Sequence, residues 1–250
     1  MSSLDAWYDA DAITGLSNND PVSTWSDSSP SGYNASSGGS NRPTFVANAL
    51  NGLPVVRFNG SNHLSLGSTD LFRNVGGGTV YAVLRDLATT TRGTLLHIDT
   101  NNGFFTRATI ESGGSGGSSK YEVGGRRLDS DTYARALGST VTGAWTMVGG
   151  LWNYAAASLA LYLNGSIDAQ NTSFQTSGLT SNTSSSALGT NLGASSTSNN
   201  NGFNGDFAEC VVVNVALGTT DREKLEGYLA HKWGLTANLP SSHPYKSSAP

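Results

Sequence analysis

The chain has 250 residues, with 14 lysines and arginines against 18 aspartates and glutamates, and a formal net charge of -4. Charged residues are only 13% of the total, so the sequence lacks the basic surface that binds nucleic acid or an anionic membrane. A single cysteine, Cys210, excludes an internal disulfide, and its apolar neighbours favour a buried thiol. No apolar stretch approaches the roughly 20 residues of a membrane span, and no leader precedes the first apolar element. We therefore expect neither membrane insertion nor a cleaved secretion signal.

Short apolar runs separated by Gly, Asn, Asp and Ser are typical of an all-β sandwich or barrel. The length fits one domain, residues 1–250. Twelve short strands are enough for two sheets. In chain order, the predicted strands are Leu4–Tyr8, Thr44–Ala47, Val55–Phe58, Leu64–Leu66, Thr79–Leu87, Thr94–Asp99, Arg107–Glu111, Tyr121–Val123, Trp145–Trp152, Leu159–Leu163, Ala187–Leu192 and Gly205–Val215.

Local signals place turns, loops and one helix between and after these strands. Asn164-Gly165 between apolar residues predicts a type I′ hairpin. The Gly/Ser segment 112–119 and the Ser/Asn segment 195–204 predict surface loops. Apolar residues at three- and four-residue spacing predict an amphipathic helix over about 220–234, started by a cap within Thr219–Glu223. The prolines of the tail, residues 235–250, cannot continue that helix, and its apolar residues predict docking onto the body.

Several segments carry a family resemblance. They are Leu4–Asp11, Val22–Asp27, Arg42–Phe45, Asn51–Gly60, Phe203–Glu209, the helix Arg222–Gly234, Leu239-Pro240 and His243-Pro244-Tyr245. Together they resemble the laminin G-like, concanavalin A-like lectin/glucanase domains of phage virion proteins and bacterial surface proteins. The resemblance implies an antiparallel two-sheet jelly roll with the helix and tail folded back onto it. Residues 86–140 carry none of these motifs, so specificity would lie there.

Catalysis is not predicted. The glucanases of this superfamily carry Glu, Asp and Glu at alternating positions of one strand, and that triplet is missing. Asp206 and Glu209 are three residues apart, so a regular strand would point them to opposite faces, and a structural role is expected for both. Glu111 and Glu122 are isolated from each other by the Gly/Ser segment. We assign no catalytic residues and expect a protein that is not an enzyme.

Metal and cofactor signals are weak. The four histidines, His63, His97, His231 and His243, lack zinc-site spacing, and we expect structural roles for His231 and His243. Calcium is the one cofactor that we keep as a hypothesis. Laminin G-like domains can hold it at the rim of the sandwich, and it needs only oxygen ligands. Asp99, Asn101 and Asn102 are the candidate oxygen donors, and turn formation is the alternative role for them. We assign no metal ligands.

Ligand binding is expected from residues of the variable middle region. The five tryptophans, Trp7, Trp25, Trp145, Trp152 and Trp233, all lie in apolar patterns or recognised motifs and are assigned to the core. Carbohydrate sites pair an exposed aromatic ring with polar hydrogen-bonding groups. The candidate binding residues are Phe104, Phe105, Arg107, Tyr121, Arg126, Arg127 and Tyr133. Packing between subunits is an equal alternative for them.

Two functions of different kinds follow from the resemblance. The first is a non-catalytic virion surface protein, a capsid decoration or fibre head, that binds other virion proteins or copies of itself and adheres weakly to cell-surface glycans. The alternative is a carbohydrate-binding module of a larger secreted bacterial protein, located outside the cell or on its surface. A glycan-cleaving enzyme is the third and least favoured hypothesis, because its carboxylates are not visible in the sequence.

Overall fold

The computed structural model describes residues 3–89, 91–99, 107–112, 119–128, 130–174, 177–182, 190–195 and 201–250. For residues 99, 107–112 and 190 only the backbone is described. The strands within these ranges are β1 (Leu4–Asp9), β2 (Thr24–Trp25), β3 (Ala35–Ser36), β4 (Thr44–Leu50), β5 (Leu53–Asn59), β6 (Leu64–Ser65), β7 (Gly78–Asp86), β8 (Gly93–Asp99), β9 (Arg107–Ser112), β10 (Lys120–Arg126), β11 (Ala134–Thr140), β12 (Thr146–Asn153), β13 (Ser158–Leu163), β14 (Ser166–Asn171), β15 (Thr190–Leu192) and β16 (Asn204–Val213). The helix α1 is Thr219–Lys232, and short 3-10 turns are Ala10–Ala12, Gly39–Asn41 and Thr236–Asn238.

These strands form two antiparallel sheets. The first has the order β14-β13-β12-β7-β16-β5-β4, and β1 also pairs with β16. The second has the order β11-β10-β9-β8-β15-β6-β3-β2. The predicted fold class, an antiparallel two-sheet sandwich with one C-terminal helix, is confirmed. The predicted hairpin is confirmed as well, because Asn164 and Gly165 join β13 to β14 with φ angles of 51° and 82°, the two positive values that a type I′ turn needs.

The core lies between the inner faces of the two sheets. Its centre holds a cluster of edge-on aromatic rings, in which Phe207 lies 6.1 Å from Phe58 and 6.3 Å from Trp25. Each of these rings is fully buried, and burying such a side chain contributes about 1.5–3 kcal/mol. Cys210 is also fully buried, as predicted, and burial raises the pKa of its thiol. Of the five tryptophans, Trp25, Trp152 and Trp233 are buried, while Trp7 and Trp145 pack against the core half-exposed.

The helix α1 and the C-terminal tail cover the outer face of the first sheet. Buried Glu226 of α1 accepts hydrogen bonds from Arg222 at 2.6 Å and from the Tyr81 hydroxyl of β7 at 2.5 Å. Nε2 of His243 in the tail lies 3.1 Å from the same carboxylate, and His231 Nε2 lies 2.9 Å from the carbonyl oxygen of Tyr245. These contacts hold the tail against α1 and give each histidine a hydrogen-bond partner within the fold.

The start of α1 differs from the prediction. Thr219 is the first helical residue, Gly218 is the N-cap, and no side chain caps the helix there. The cap expected within Thr219–Glu223 is wrong, because the helix begins one residue earlier than that cap allows. Arg222 in the first turn instead pairs with Glu226 in the next turn, at 2.6 Å. Among the described residues, no helix is long and apolar enough to cross a membrane.

Candidate functional site

A β-bulge in β16 determines where its two acidic residues point. Phe207 pairs with Leu84 of β7, but Glu209 pairs with Val83, so Ala208 is an extra residue in the ladder. An extra residue reverses the alternation of the strand beyond it. Asp206 and Glu209 therefore lie on the same outer face of the first sheet. The expectation that they point to opposite faces is wrong for this reason.

Both of these carboxylates accept hydrogen bonds that hold neighbouring elements of the fold together. Asp206 is fully buried and accepts hydrogen bonds from Arg57 at 2.6 Å and Arg85 at 2.5 Å. Glu209, also fully buried, accepts from the indole nitrogens of Trp7 at 2.6 Å and Trp233 at 2.7 Å. Burial raises the pKa of Glu209. The pair fastens β1, β5 and β7 to β16 and holds α1 in place, which agrees with the structural role expected from the sequence.

The outer face of the second sheet has a different character. In β10, Tyr121 and Val123 point into the core, so Glu122, Gly124 and Arg126 point outwards. The positions paired with this face across the sheet are also polar. Its buried polar residues are Thr94, His97, Glu122 and Asn191. Buried polar groups are costly unless they are partnered, so four of them on one sheet face mark a region built for polar contacts.

One aromatic ring lies on this face beside two charged groups. The ring of Tyr133 sits against Gly124, in the space that a Cβ atom would occupy. Arg135 Nη1 lies 3.5 Å from Glu122 Oε2, and the Arg135 guanidinium carbon lies 6.0 Å from the centre of the Tyr133 ring. The Arg135 side chain is 45% exposed, whereas that of Glu122 is 1% exposed. We call Glu122, Gly124, Tyr133 and Arg135 the Tyr133 cluster.

Some of the predicted binding residues lie in or next to this cluster, and others lie elsewhere. Tyr133 belongs to it, and Arg126 lies opposite Arg107 in the ladder at its end. Arg127 is directed elsewhere, because its Nη1 donates to the carbonyl oxygen of Leu179 at 2.8 Å.

Tyr121, a candidate binding residue, does not offer an exposed ring to a ligand. It lies in a strand and is 2% exposed, and burial raises its pKa to about 12. The expectation is wrong because Tyr121 is on the inward side of the strand alternation.

Phe104 and Phe105 lie outside the described residues, as do Asn101 and Asn102. Asp99, the remaining calcium candidate, is paired with Arg107 in the ladder. Within the described ranges, no group of three or more His, Cys, Asp or Glu side chains is placed to hold a metal ion.

The structure also brings together residues that the sequence interpretation kept apart. Glu111 and Glu122 are directly opposite each other in the pairing of β9 with β10, so they are not isolated as expected. Their strands are the two arms of a hairpin around the Gly/Ser segment, and this hairpin could have been inferred from the strand-loop-strand order. Arg135 was missed because Ala134–Thr140 has too few apolar residues to indicate a strand.

Comparisons with known proteins identify the fold. No protein-family model and no curated protein matches the chain. Domain 4 of AbnA, a GH43 extracellular arabinanase from Geobacillus stearothermophilus solved with arabinotriose, aligns over 88% of this chain and 96% of that domain, with a TM-score of 0.61 and 18% identity. The binding domain of Paraclostridial Mosquitocidal Protein 1 aligns over 90% of this chain with a TM-score of 0.62 and 12% identity. The binding domain of botulinum neurotoxin serotype D aligns over 90% with a TM-score of 0.57 and 13% identity.

This chain spans 52% and 50% of the lengths of those two toxin domains. At such low identities the likeness establishes the fold alone. The chain therefore shares the β-sandwich fold of these three domains.

Proposed function

We propose that this domain binds carbohydrate and does not cleave it. The observation that carries the proposal is the Tyr133 cluster, in which an aromatic ring, an exposed guanidinium and a carboxylate lie together on the outer face of the second sheet. A half-exposed ring offers a flat apolar surface to the C–H face of a sugar. The exposed Arg135 guanidinium beside it can donate to sugar hydroxyls, and the buried Glu122 carboxylate, 3.5 Å away, holds that guanidinium in place.

The fold supports the same class of function. The arabinanase domain that aligns along nearly all of its length was solved with arabinotriose, which makes arabinan fragments the first ligands to test. Fold alone does not fix a ligand, so the proposal depends on the polar side chains described above.

A cleaving role is the second candidate, and one observation favours it. The backbone positions of Glu111 and Glu122 are opposed in neighbouring antiparallel strands. Retaining glycosidases hold their two carboxyl groups about 5 Å apart. The Glu122 side chain is only 1% exposed and lies 3.5 Å from Arg135, a position that suits holding the guanidinium better than reaching a glycosidic bond. We therefore rank binding first.

The test measures binding and cleavage on the same samples. The wild-type domain is titrated with arabinotriose and with a panel of plant and bacterial oligosaccharides, and each mixture is then assayed for new reducing ends. We expect binding without product, and at least about tenfold weaker binding for Tyr133→Ala, the loss of one good stacking contact. Tyr133→Phe, which keeps the ring, should bind nearly as well as the wild type.

Arg135→Gln, which removes the guanidinium of the cluster, should also weaken binding. Arg42→Gln is its matched control, since Arg42 is a surface arginine that donates to the carbonyl oxygen of Gly39. Release of product that Glu122→Gln abolishes would establish the cleaving role instead. An absence of binding to any saccharide would refute the proposal.

Attachment to a virion is a separate proposal about where such a domain works. Co-sedimentation of the native protein with assembled particles would support it, and a chain that remains soluble in the same gradient would refute it.

A further inference from the structure

A polar groove of about 570 Å³ lies away from the Tyr133 cluster. Five separate segments of the chain meet in it. Its lining residues are Asp5, Tyr33, Asp70, Arg73, Asn74, Asn182 and Asn214. Tyr33 precedes β3, which is five strand positions from β10 in the second sheet, or about 24 Å at the usual strand spacing. The groove and the Tyr133 cluster are therefore distinct surfaces.

The side chain of Arg73, the one cation among the lining residues of the groove, is held in a fixed orientation. Arg73 Nη1 lies 2.9 Å from Asp70 Oδ1, and its Nε donates to the carbonyl oxygen of Asn182 at 2.7 Å. These contacts use two of the five N–H groups of a guanidinium. A charged group fixed before binding loses little conformational entropy when a ligand arrives.

The aromatic side of the groove is equally fixed. The backbone nitrogen of Tyr33 donates to Asp27 at 2.8 Å, and its carbonyl oxygen accepts from the Tyr8 hydroxyl at 2.5 Å. The Tyr33 hydroxyl accepts from the backbone nitrogen of Asp70 at 3.1 Å. The half-exposed ring is thus tied at both ends and presents a rigid edge to the groove.

The backbone on either side of Arg73 is in an unusual conformation. Phe72 and Asn74 have φ angles of 57° and 51°, and such a conformation costs about 1–3 kcal/mol for a bulky residue such as phenylalanine. Phe72 is fully buried, 5.5 Å from the ring of Trp152, and its nitrogen donates to Asn214 Oδ1 at 2.8 Å. Packing in the core therefore sustains a turn that aims Arg73 into the groove.

The lining selects a class of ligand. Two carboxylates and one guanidinium give the groove a net negative charge, which disfavours phosphates, sulfates and uronic acids. The amides of Asn74 and Asn182 add both donors and acceptors, as neutral sugar hydroxyls require, whereas the Asn214 amide bonds to the main chain of Phe72 and Asp70. The volume lies within the roughly 300–1,000 Å³ of small-molecule sites. We propose that this groove is a second saccharide-binding site, specific for a short neutral saccharide. It shares the ligand class of the proposed function but not its site.

The experiment maps binding by backbone amide chemical shifts. The ¹⁵N-labelled domain is titrated with neutral disaccharides (maltose, cellobiose and lactose) and, separately, with a galacturonate disaccharide. We expect one of the neutral sugars to shift the amides around Asp70–Asn74 and Asn182, and the galacturonate disaccharide to leave them unchanged. Asn182→Ala, which keeps the main-chain carbonyl that holds Arg73, should weaken this binding about tenfold.

Variants of the two surfaces separate the two proposals. Tyr133→Ala should leave the groove affinity unchanged, and Asn182→Ala should leave binding at the Tyr133 cluster unchanged. Loss of all binding in Tyr133→Ala would overturn the groove proposal while the proposed function stands. Binding that survives Tyr133→Ala but fails in Asn182→Ala would support the groove and refute the Tyr133 cluster. Neutral sugars that leave the groove amides unshifted, or a galacturonate disaccharide that shifts them, overturn the second site.

Discussion

The outer faces of the two sheets use similar residues in opposite ways. On the first sheet, Asp206, Glu209 and Glu226 are fully buried, and each accepts short hydrogen bonds from side chains of neighbouring elements. On the second sheet, Arg135 remains 45% exposed beside a half-exposed tyrosine ring. This difference shows that the type of a residue alone does not identify a binding site. Exposure of the charged group does not separate the faces either, because Arg57 on the first sheet is 40% exposed beside buried Asp206. What distinguishes the second face is the looser contact of its ion pair, in which Arg135 Nη1 lies 3.5 Å from Glu122 Oε2, whereas the arginines at Asp206 lie at 2.5 and 2.6 Å.

We expect the largest effect on stability from a substitution that removes a buried carboxylate from the outer face of the first sheet. Glu226→Ala removes the acceptor of Arg222, Tyr81 and His243 and leaves the Arg222 charge buried without its partner. We expect a loss of about 3–5 kcal/mol in the free energy of unfolding, measured by urea denaturation. Glu223→Ala is the control, because that carboxylate is 28% exposed and 3.8 Å from Arg222, and we expect a change below about 1 kcal/mol. Equal losses in both variants would contradict the structural role of the face.

A second effect on the same face depends on pH. Burial lowers the pKa of Lys232, but its hydrogen bond to Asp9 and the charge of Glu209 outweigh burial and raise the pKa above its ordinary value. A base whose pKa is raised by folding stabilises the fold below its unfolded pKa, and that contribution is lost as the pH rises through the folded value. The free energy of unfolding should therefore fall above about pH 10 in the wild type. Lys232→Met should be less stable at neutral pH and show a flatter alkaline profile, and identical profiles would refute the assignment.

On the outer face of the second sheet, a substitution at Gly124 should affect saccharide binding as well as stability. Gly124→Ala places a methyl group where the Tyr133 ring now lies, so the ring must move away. We expect a stability loss of about 1–3 kcal/mol together with at least about tenfold weaker saccharide binding. Gly38→Ala is the matched control, since its φ is -122° and no atom lies within 4 Å of the added methyl group. Unchanged saccharide binding in Gly124→Ala would show that the Tyr133 cluster is not the site.

Much of the fold could be predicted from the sequence because strand alternation and turn residues are local signals. The Asn164-Gly165 hairpin and the docked tail follow from such signals. The bulge at Ala208 does not, because an extra residue in a strand is defined by its pairing with β7. The error on Asp206 and Glu209 came from assuming a regular strand.

The sites were harder to predict than the fold. Tyr133 was found because an aromatic ring in a polar region stands out, whereas Tyr121 failed because its side of the strand depends on the register of β10. The groove around Arg73 could not be predicted, because residues as distant as Asp5 and Asn214 meet there only through the pairing of β1 with β16.

The decisive measurement for saccharide binding at the Tyr133 cluster is calorimetric titration of the wild-type domain and of Tyr133→Ala with arabinotriose, or with the panel saccharide that binds the wild type best. We expect that the wild type binds this saccharide and leaves it intact, and that Tyr133→Ala, still folded, binds it at least about tenfold more weakly. Equal affinity in the two proteins, or release of cleaved sugar by the wild type, would contradict it.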